Sequence, residues 1–262
     1  KFSDQKFSTM EKQPMSRMKL LCSCIVILSS TCARSEWTGS GELGAVAARG
    51  NTDSNSANAK LDVANEIERW KHSLLFNELY GSSNSTTSAN RWETRWQSDY
   101  KITEPLYWFG GLRYERDHFG AYSYQESATT GLGYKLIDND TTKLSIQGGI
   151  GIKKSEPQTL VKDDSDKVIN RISGDEETRG DVVAGFKFEH ALTGNTKVIN
   201  TFLAEATSSN TFIQNDLALQ VAMNDKLALS IGYGLRENTS PPPDSERIDT
   251  VTTLSVVYKL NK

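Results

Sequence analysis

Apolar and polar side chains alternate one by one along most of this chain, and a period of two restricts such segments to β-strands. In Leu227–Glu237, residues Leu227, Leu229, Ile231, Tyr233 and Leu235 share one face, and Ala228, Ser230, Gly232, Gly234 and Arg236 share the other. Arg91–Lys101 sets Trp92, Trp96 and Tyr100 against Arg91, Glu93, Arg95, Gln97, Asp99 and Lys101. Val182, Ala184, Phe186 and Phe188 alternate with Asp181, Lys187 and Glu189. A helix would scatter each of these sets around its axis.

Twelve such segments follow one another, at about 37–49, 55–67, 72–82, 90–101, 106–117, 124–136, 142–154, 176–190, 196–207, 211–222, 227–237 and 248–260. Those at 72–82 and 196–207 are mixed on both faces, so their inward side is open. Short connections at 68–71, 102–105, 138–140, 193–195 and 223–226 alternate with more polar ones at 50–54, 82–89, 118–123, 155–175, 208–210 and 238–247. Strict alternation of sides is the pattern of a meander that closes on itself, tight turns at one rim and loops at the other. Segments of roughly 10 to 13 residues tilted by about 40° span roughly 25 to 30 Å, the height of an outer-membrane apolar band. The expected fold is therefore all-β, an antiparallel up-and-down transmembrane β-barrel of about 12 strands. The mean hydropathy of −0.51 agrees, because half of each barrel strand is polar.

The segment before the first strand has a different character. Arg17 and Lys19 flank Met18, an apolar stretch runs from Leu20 to Leu28, and small residues precede Ala33, as in a secretory signal. We expect residues 1–17 to be an upstream extension, 18–33 the signal, and 34–262 a single barrel domain. Cys22, Cys24 and Cys32 are the only cysteines, so a chain cleaved after Ala33 has no disulfide, thiol nucleophile or thiolate metal site. It would carry 25 basic against 31 acidic side chains, a formal charge of −6, which disfavours nucleic acid as a partner.

Alternation leaves open which face turns outward. With the apolar face toward lipid, Glu42, Lys60, Asp62, Glu66, Arg91, Glu93, Arg95, Asp99, Lys101, Arg113, Glu115, Asp117, Lys153, Lys187, Asp216 and Arg236 line the lumen. Both signs are mixed there, so the lumen is either a salt-bridged plug or a narrow charged pore for small solutes or ions. Trp37, Trp70, Trp92, Trp108, Tyr80, Tyr114 and Tyr258 fall near strand ends, where aromatic rings favour the membrane interface. The alternative is a soluble exported barrel whose apolar face lines a ligand cavity.

The opening Trp37-Thr38-Gly39-Ser40-Gly41-Glu42-Leu43-Gly44, followed by Gly50-Asn51-Thr52-Asp53, gives the chain a family likeness. Glu66, Trp70 and His72, together with the Gly110-Gly111 pair and Tyr114, add to it. Over Trp37 to Leu260 the chain resembles the YdiY-like salt-induced outer-membrane proteins of Gram-negative bacteria, a domain family of unknown function. The resemblance implies an outer-membrane barrel in contact with outer-membrane lipid and the outer-membrane assembly machinery, with a link to salt stress and no catalytic residue to carry over. One departure is the polar tail Asn261-Lys262 after Tyr258 and Leu260, where outer-membrane strands usually finish on an aromatic residue.

Signals for catalysis or cofactors are weak. The three histidines, His72, His118 and His190, are scattered, and His72 and Ser73 point to opposite faces of a strand, which argues against a lipid hydrolase. The acidic stretch 162–166 lacks the glycine and terminal glutamate of a calcium loop. Gly148-Gly149-Ile150-Gly151 lies within a strand pattern and is no phosphate loop. No enzyme activity, cofactor or metal is expected.

Overall fold

The computed structural model describes residues 37–48, 54–83, 86–163, 167–242 and 245–260. The signal and upstream segment expected at 1–33 lie outside the described residues, as do parts of four polar connections. Among the described residues there are thirteen strands: β1 (Trp37–Ala48), β2 (Ser54–Ile67), β3 (Trp70–Ser83), β4 (Thr86–Lys101), β5 (Leu106–Asp117), β6 (Tyr122–Asp138), β7 (Thr142–Lys162), β8 (Val168–Ser173), β9 (Glu177–Ala191), β10 (Thr196–Thr207), β11 (Thr211–Ala222), β12 (Leu227–Asn238) and β13 (Ile248–Leu260). No helix of the described residues is long and apolar enough to cross a membrane.

Every pairing is antiparallel, and all strands but β8 form one ring in chain order. It closes where β13 meets β1. The protein is thus a closed twelve-stranded β-barrel. The polar stretch 155–175, expected as a loop, is instead a hairpin: β7 runs on past the ring to Lys162 and turns back as β8, with Gln158 opposite Ser173. Val161, Val168, Ile169 and Ile172 supply the β-branched residues that let this polar stretch pair.

Tight turns at one rim share a local mechanism. The Asn139 side-chain oxygen accepts from the backbone N–H groups of Thr141 and Thr142, and Asn224 does the same for Lys226 and Leu227. Thr103 accepts from Leu106, and Thr193 from Thr196. These side chains replace ladder partners that the turning backbone has lost. In the turn joining β2 to β3, Glu68 takes the left-handed conformation (φ 54°).

The pleat turns the apolar face outward. Leu43, Leu112, Ile150 and Val182 are 71%, 61%, 66% and 60% exposed on the outer wall. Contacts that skip neighbouring strands mark the opposite face as the interior: Arg95 on β4 donates to Gln214 on β11, and Gln97 on β4 to Gln147 on β7. The soluble barrel with an apolar cavity is therefore not the form adopted. The two mixed segments resolve accordingly, since β3 turns Leu75 and Leu79 inward and β10 turns Ile199 and Leu203 inward. On the lipid side of β10, Asn200 pairs its amide with Asn215 of β11. Gly131 and Gly149 face each other across β6 and β7, and a Cβ on Gly149 would lie 2.3 Å from the Thr130 carbonyl oxygen, so this sharply coiled part of the wall requires glycine.

Candidate functional site

The lumen is filled at the level of Glu93. Its carboxylate accepts from Arg95, from Arg113 Nε at 2.8 Å and from Arg236 Nη2 at 2.9 Å, joining β4 to β5 and β12. Arg113 also donates to Glu115 at 2.6 Å and to Glu205 at 3.1 Å, and Arg236 to Glu115. Glu205 further accepts from Lys153 at 2.8 Å and from Ser127 at 2.9 Å. Glu93 and Glu205 are only 1% and 2% exposed, so these groups have exchanged water for one another. A buried pair recovers its desolvation cost only when its remaining lone pairs and protons are met, and the bidentate and shared contacts here do that.

An apolar layer supports the network. Phe109, Val183, Leu203 and Phe212 pack together inside the barrel with Tyr107 against them. The Phe212 ring lies 4.7 Å from the Arg113 guanidinium and 4.9 Å from the Lys153 ammonium, so its face carries two of the network's cations. Asp181 is buried beside this assembly, and neither of its carboxylate oxygens has a hydrogen-bond partner.

Toward the tight-turn rim the lumen widens into a vestibule of about 340 Å³, lined by Asp62, Lys71, Arg95, Gln97, Asp99 and Lys187 among others. On the loop side a small space of about 10 Å³ lies beside Tyr122, Gln125 and Lys153. A solute entering from the turn side would meet Arg95 and then the charged network.

Of the lumen residues singled out in the sequence, Arg91, Glu93, Arg95, Arg113, Glu115 and Arg236 come together at or beside the plug, Arg91 through Asp117 at 3.7 Å. Lys187 and Asp62 face each other at 3.9 Å across the vestibule, Asp99 accepts from Gln97, and Asp216 accepts from Gln214. Lys60 shares the inward face opposite Glu42 and Asn77. Glu205, Gln214 and Phe212 were not singled out. Glu205 follows the mixed pattern of β10, whose inward Ile199 and Leu203 disguise the face. Phe212 is a lone aromatic at the start of β11.

The outward aromatics form two unequal belts. At the tight-turn rim stand Trp37, Trp70, Trp108 and Tyr258, joined by Tyr100, Tyr134 and Phe188. Trp70 meets Trp108 edge-on at 6.3 Å. On the loop half, Tyr80, Trp92, Tyr114 and Tyr124 cluster on β3–β6, with Trp92 and Tyr114 at 5.1 Å, and Tyr233 of β12 stands opposite Thr252. In the turn-side belt His72 Nδ1 lies 2.8 Å from Ser98 Oγ, and His190 Nδ1 lies 2.8 Å from Thr142 Oγ1. Ser98, not the adjacent Ser73, is thus the hydroxyl that His72 reaches. Ser98 Oγ also takes the Trp96 indole N–H at 2.9 Å.

Comparison with known proteins adds the following. The family model described as a protein of unknown function, DUF481, matches residues 41–260. The uncharacterized protein YdiY of Escherichia coli (strain K12) is 26% identical over 232 residues, 87% of this chain and 85% of that protein. Among solved structures, the NanC porin aligns with a TM-score of 0.47 and 9% identity, covering 84% of this chain and 98% of its own. The translocator domain of the autotransporter NalP from Neisseria meningitidis aligns with a TM-score of 0.43 and 15% identity, covering 86% and 87%.

Proposed function

This chain belongs to the DUF481 family, and from that premise we propose that it is a Gram-negative outer-membrane barrel shut at rest by its own lumen charges. The observation that carries this reading is the buried Glu93–Arg113–Glu205–Arg236 network, whose ion pairs cross the lumen between the vestibule and the loop side. The exposed apolar wall with aromatic belts supports placement in a bilayer, because an uncovered wall of that size would be a liability in water. Outer-membrane lipid covers that wall, and the outer-membrane assembly machinery inserts it. The link to salt stress comes from the family resemblance, and transcript level under raised salt tests it.

Planar-bilayer recording of refolded protein tests closure. The wild type is expected to insert silently, and Glu93→Ala/Arg236→Ala to conduct, because removing one carboxylate and one guanidinium opens the narrowest layer without leaving a large charge imbalance. Steady wild-type conductance that shifts with Arg91→Ala/Arg95→Ala would overturn closure and make the lumen a narrow charged pore.

A further inference from the structure

The ladders around the ring are unequal. Eleven of them pair eleven to fifteen residues each, whereas β1 and β13 pair only six, from Gly39 with Leu260 to Gly44 with Ser255. Beyond that point β1 continues to Ala48 on β2, and β13 continues back to Ile248 on β12, and among the described residues the two do not pair further. Two strand edges therefore border a gap in the loop-side half of the wall. Unpaired backbone polar groups at membrane depth are tolerated only where they meet protein, polar side chains or water. Here the outward residues beside the gap are Thr250 and Thr252, which put two hydroxyls next to Leu254 on that face.

A latch ends the paired part. Across β1, Asn58 Nδ2 of β2 donates to Ser255 Oγ of β13 at 3.1 Å, directly over Gly44. A Cβ on Gly44 would lie 2.2 Å from the Asn58 amide oxygen and 2.8 Å from Ser255 Oγ, so only glycine lets the two side chains meet. Next to the paired part, the outer wall has an apolar groove of about 370 Å³ bounded by Gly41, Leu43, Ala59, Leu61, Phe76 and Tyr258. Small residues on β1 and β2 hollow it out between the larger side chains.

We propose that the β1–β13 seam is a lateral port for a single-chain amphiphile of the outer leaflet: its acyl chain lies in the groove and its polar head reaches the loop-side lumen between the two unpaired edges. The proposal rests on the outer-membrane reading above. The groove spans β1 and β2 with β3 and β13 at its rim, and the gap follows it along β1 and β13; the first is apolar and faces lipid and the second is edged with hydroxyls, which matches the two ends of such a molecule.

Paired cysteines test the seam in a background with Cys22, Cys24 and Cys32 changed to Ser. In vesicles under mild oxidation, Leu43→Cys/Val256→Cys is expected to form a disulfide and Ala45→Cys/Leu254→Cys to stay reduced. Access is read with dodecyl maleimide dissolved in the bilayer. Val251→Cys, on the lumen face of the free β13 edge, should label about tenfold faster than Thr129→Cys, on the lumen face of fully paired β6, and Asn58→Ala should speed it further. Equal oxidation of the two pairs, or equal protection of Val251→Cys and Thr129→Cys, would overturn the port while a heat-modifiable barrel left the outer-membrane reading intact. Failure of Leu43→Cys/Val256→Cys to oxidise, with no heat-modifiable gel shift, would remove that reading and the port with it.

Discussion

Arg113 on β5 and Glu205 on β10 meet across the barrel interior, Nη1 to Oε2 at 3.1 Å, so the lumen charges brace opposite walls as well as fill the space between them. Glu205→Ala takes from buried Lys153 the carboxylate it donates to and leaves Arg113 with Glu93 and Glu115, and breaking a buried pair from one side costs about 3 to 5 kcal/mol. Glu205→Gln keeps an acceptor for Ser127 and should cost less. Urea unfolding of both variants from lipid vesicles checks the order.

Asp181 should behave in the opposite way. Among the described residues its buried carboxylate has no hydrogen-bond partner, so Asp181→Asn removes a charge that the fold leaves without a hydrogen bond. The substitution should leave stability unchanged or raise it by about 1 kcal/mol, the scale of an unmet buried polar group. In the same urea assay, a loss as large as that of Glu205→Ala would show that Asp181 has a partner in the membrane.

Trp70 and Trp108 should be coupled through their edge-on contact. A double-mutant cycle of Trp70→Ala and Trp108→Ala is expected to give an interaction of about 0.5 to 1.5 kcal/mol, the range of aromatic pairs beyond their buried area. Additive losses would place the two rings in separate contacts with lipid.

The loop after β5 should respond to acid. Burial, with help from Arg116 and Arg171, lowers the His118 imidazole from its ordinary value, so the folded loop prefers it neutral. That contribution is complete above the ordinary imidazole pKa of about 6.5 and fades as pH falls through and below it. Arg171 of β8 ties the hairpin to this loop, donating to the His118 carbonyl at 2.7 Å and stacking on Phe119. Hydrogen exchange in β8 should therefore quicken as pH falls from 7 toward 5, and His118→Asn should flatten the response.

How much of this was legible in the residues depends on what period two encodes. Where a strand faces lipid on one side and charge on the other, as β4 does with Trp92, Trp96 and Tyr100 against Arg91, Glu93 and Arg95, alternation alone sets its place and facing. Where the lumen itself is apolar, the signal cancels: Leu203 turns inward beside Glu205, so the acceptor that closes the network was hidden in a mixed pattern. The seam was hidden for another reason. Whether β1 and β13 pair over six residues or twelve depends on where two distant strands diverge, and no local pattern in either strand records it. The β7–β8 hairpin escaped notice because a solvated hairpin needs no apolar face.

The unequal aromatic belts have a mechanical consequence. The wall of β3–β6 is moored at both membrane surfaces, by Trp70, Tyr100 and Trp108 at one and Tyr80, Trp92, Tyr114 and Tyr124 at the other. The wall from β9 round to β1 is moored more heavily at the turn side, with Tyr233 of β12 as its aromatic toward the loops. A cylinder held this way leans, and its loosely held side carries the short ladder between β13 and β1. Changes in bilayer thickness would then act as a lever on that side first, flexing the wall at its weakest line while the doubly moored side stays put.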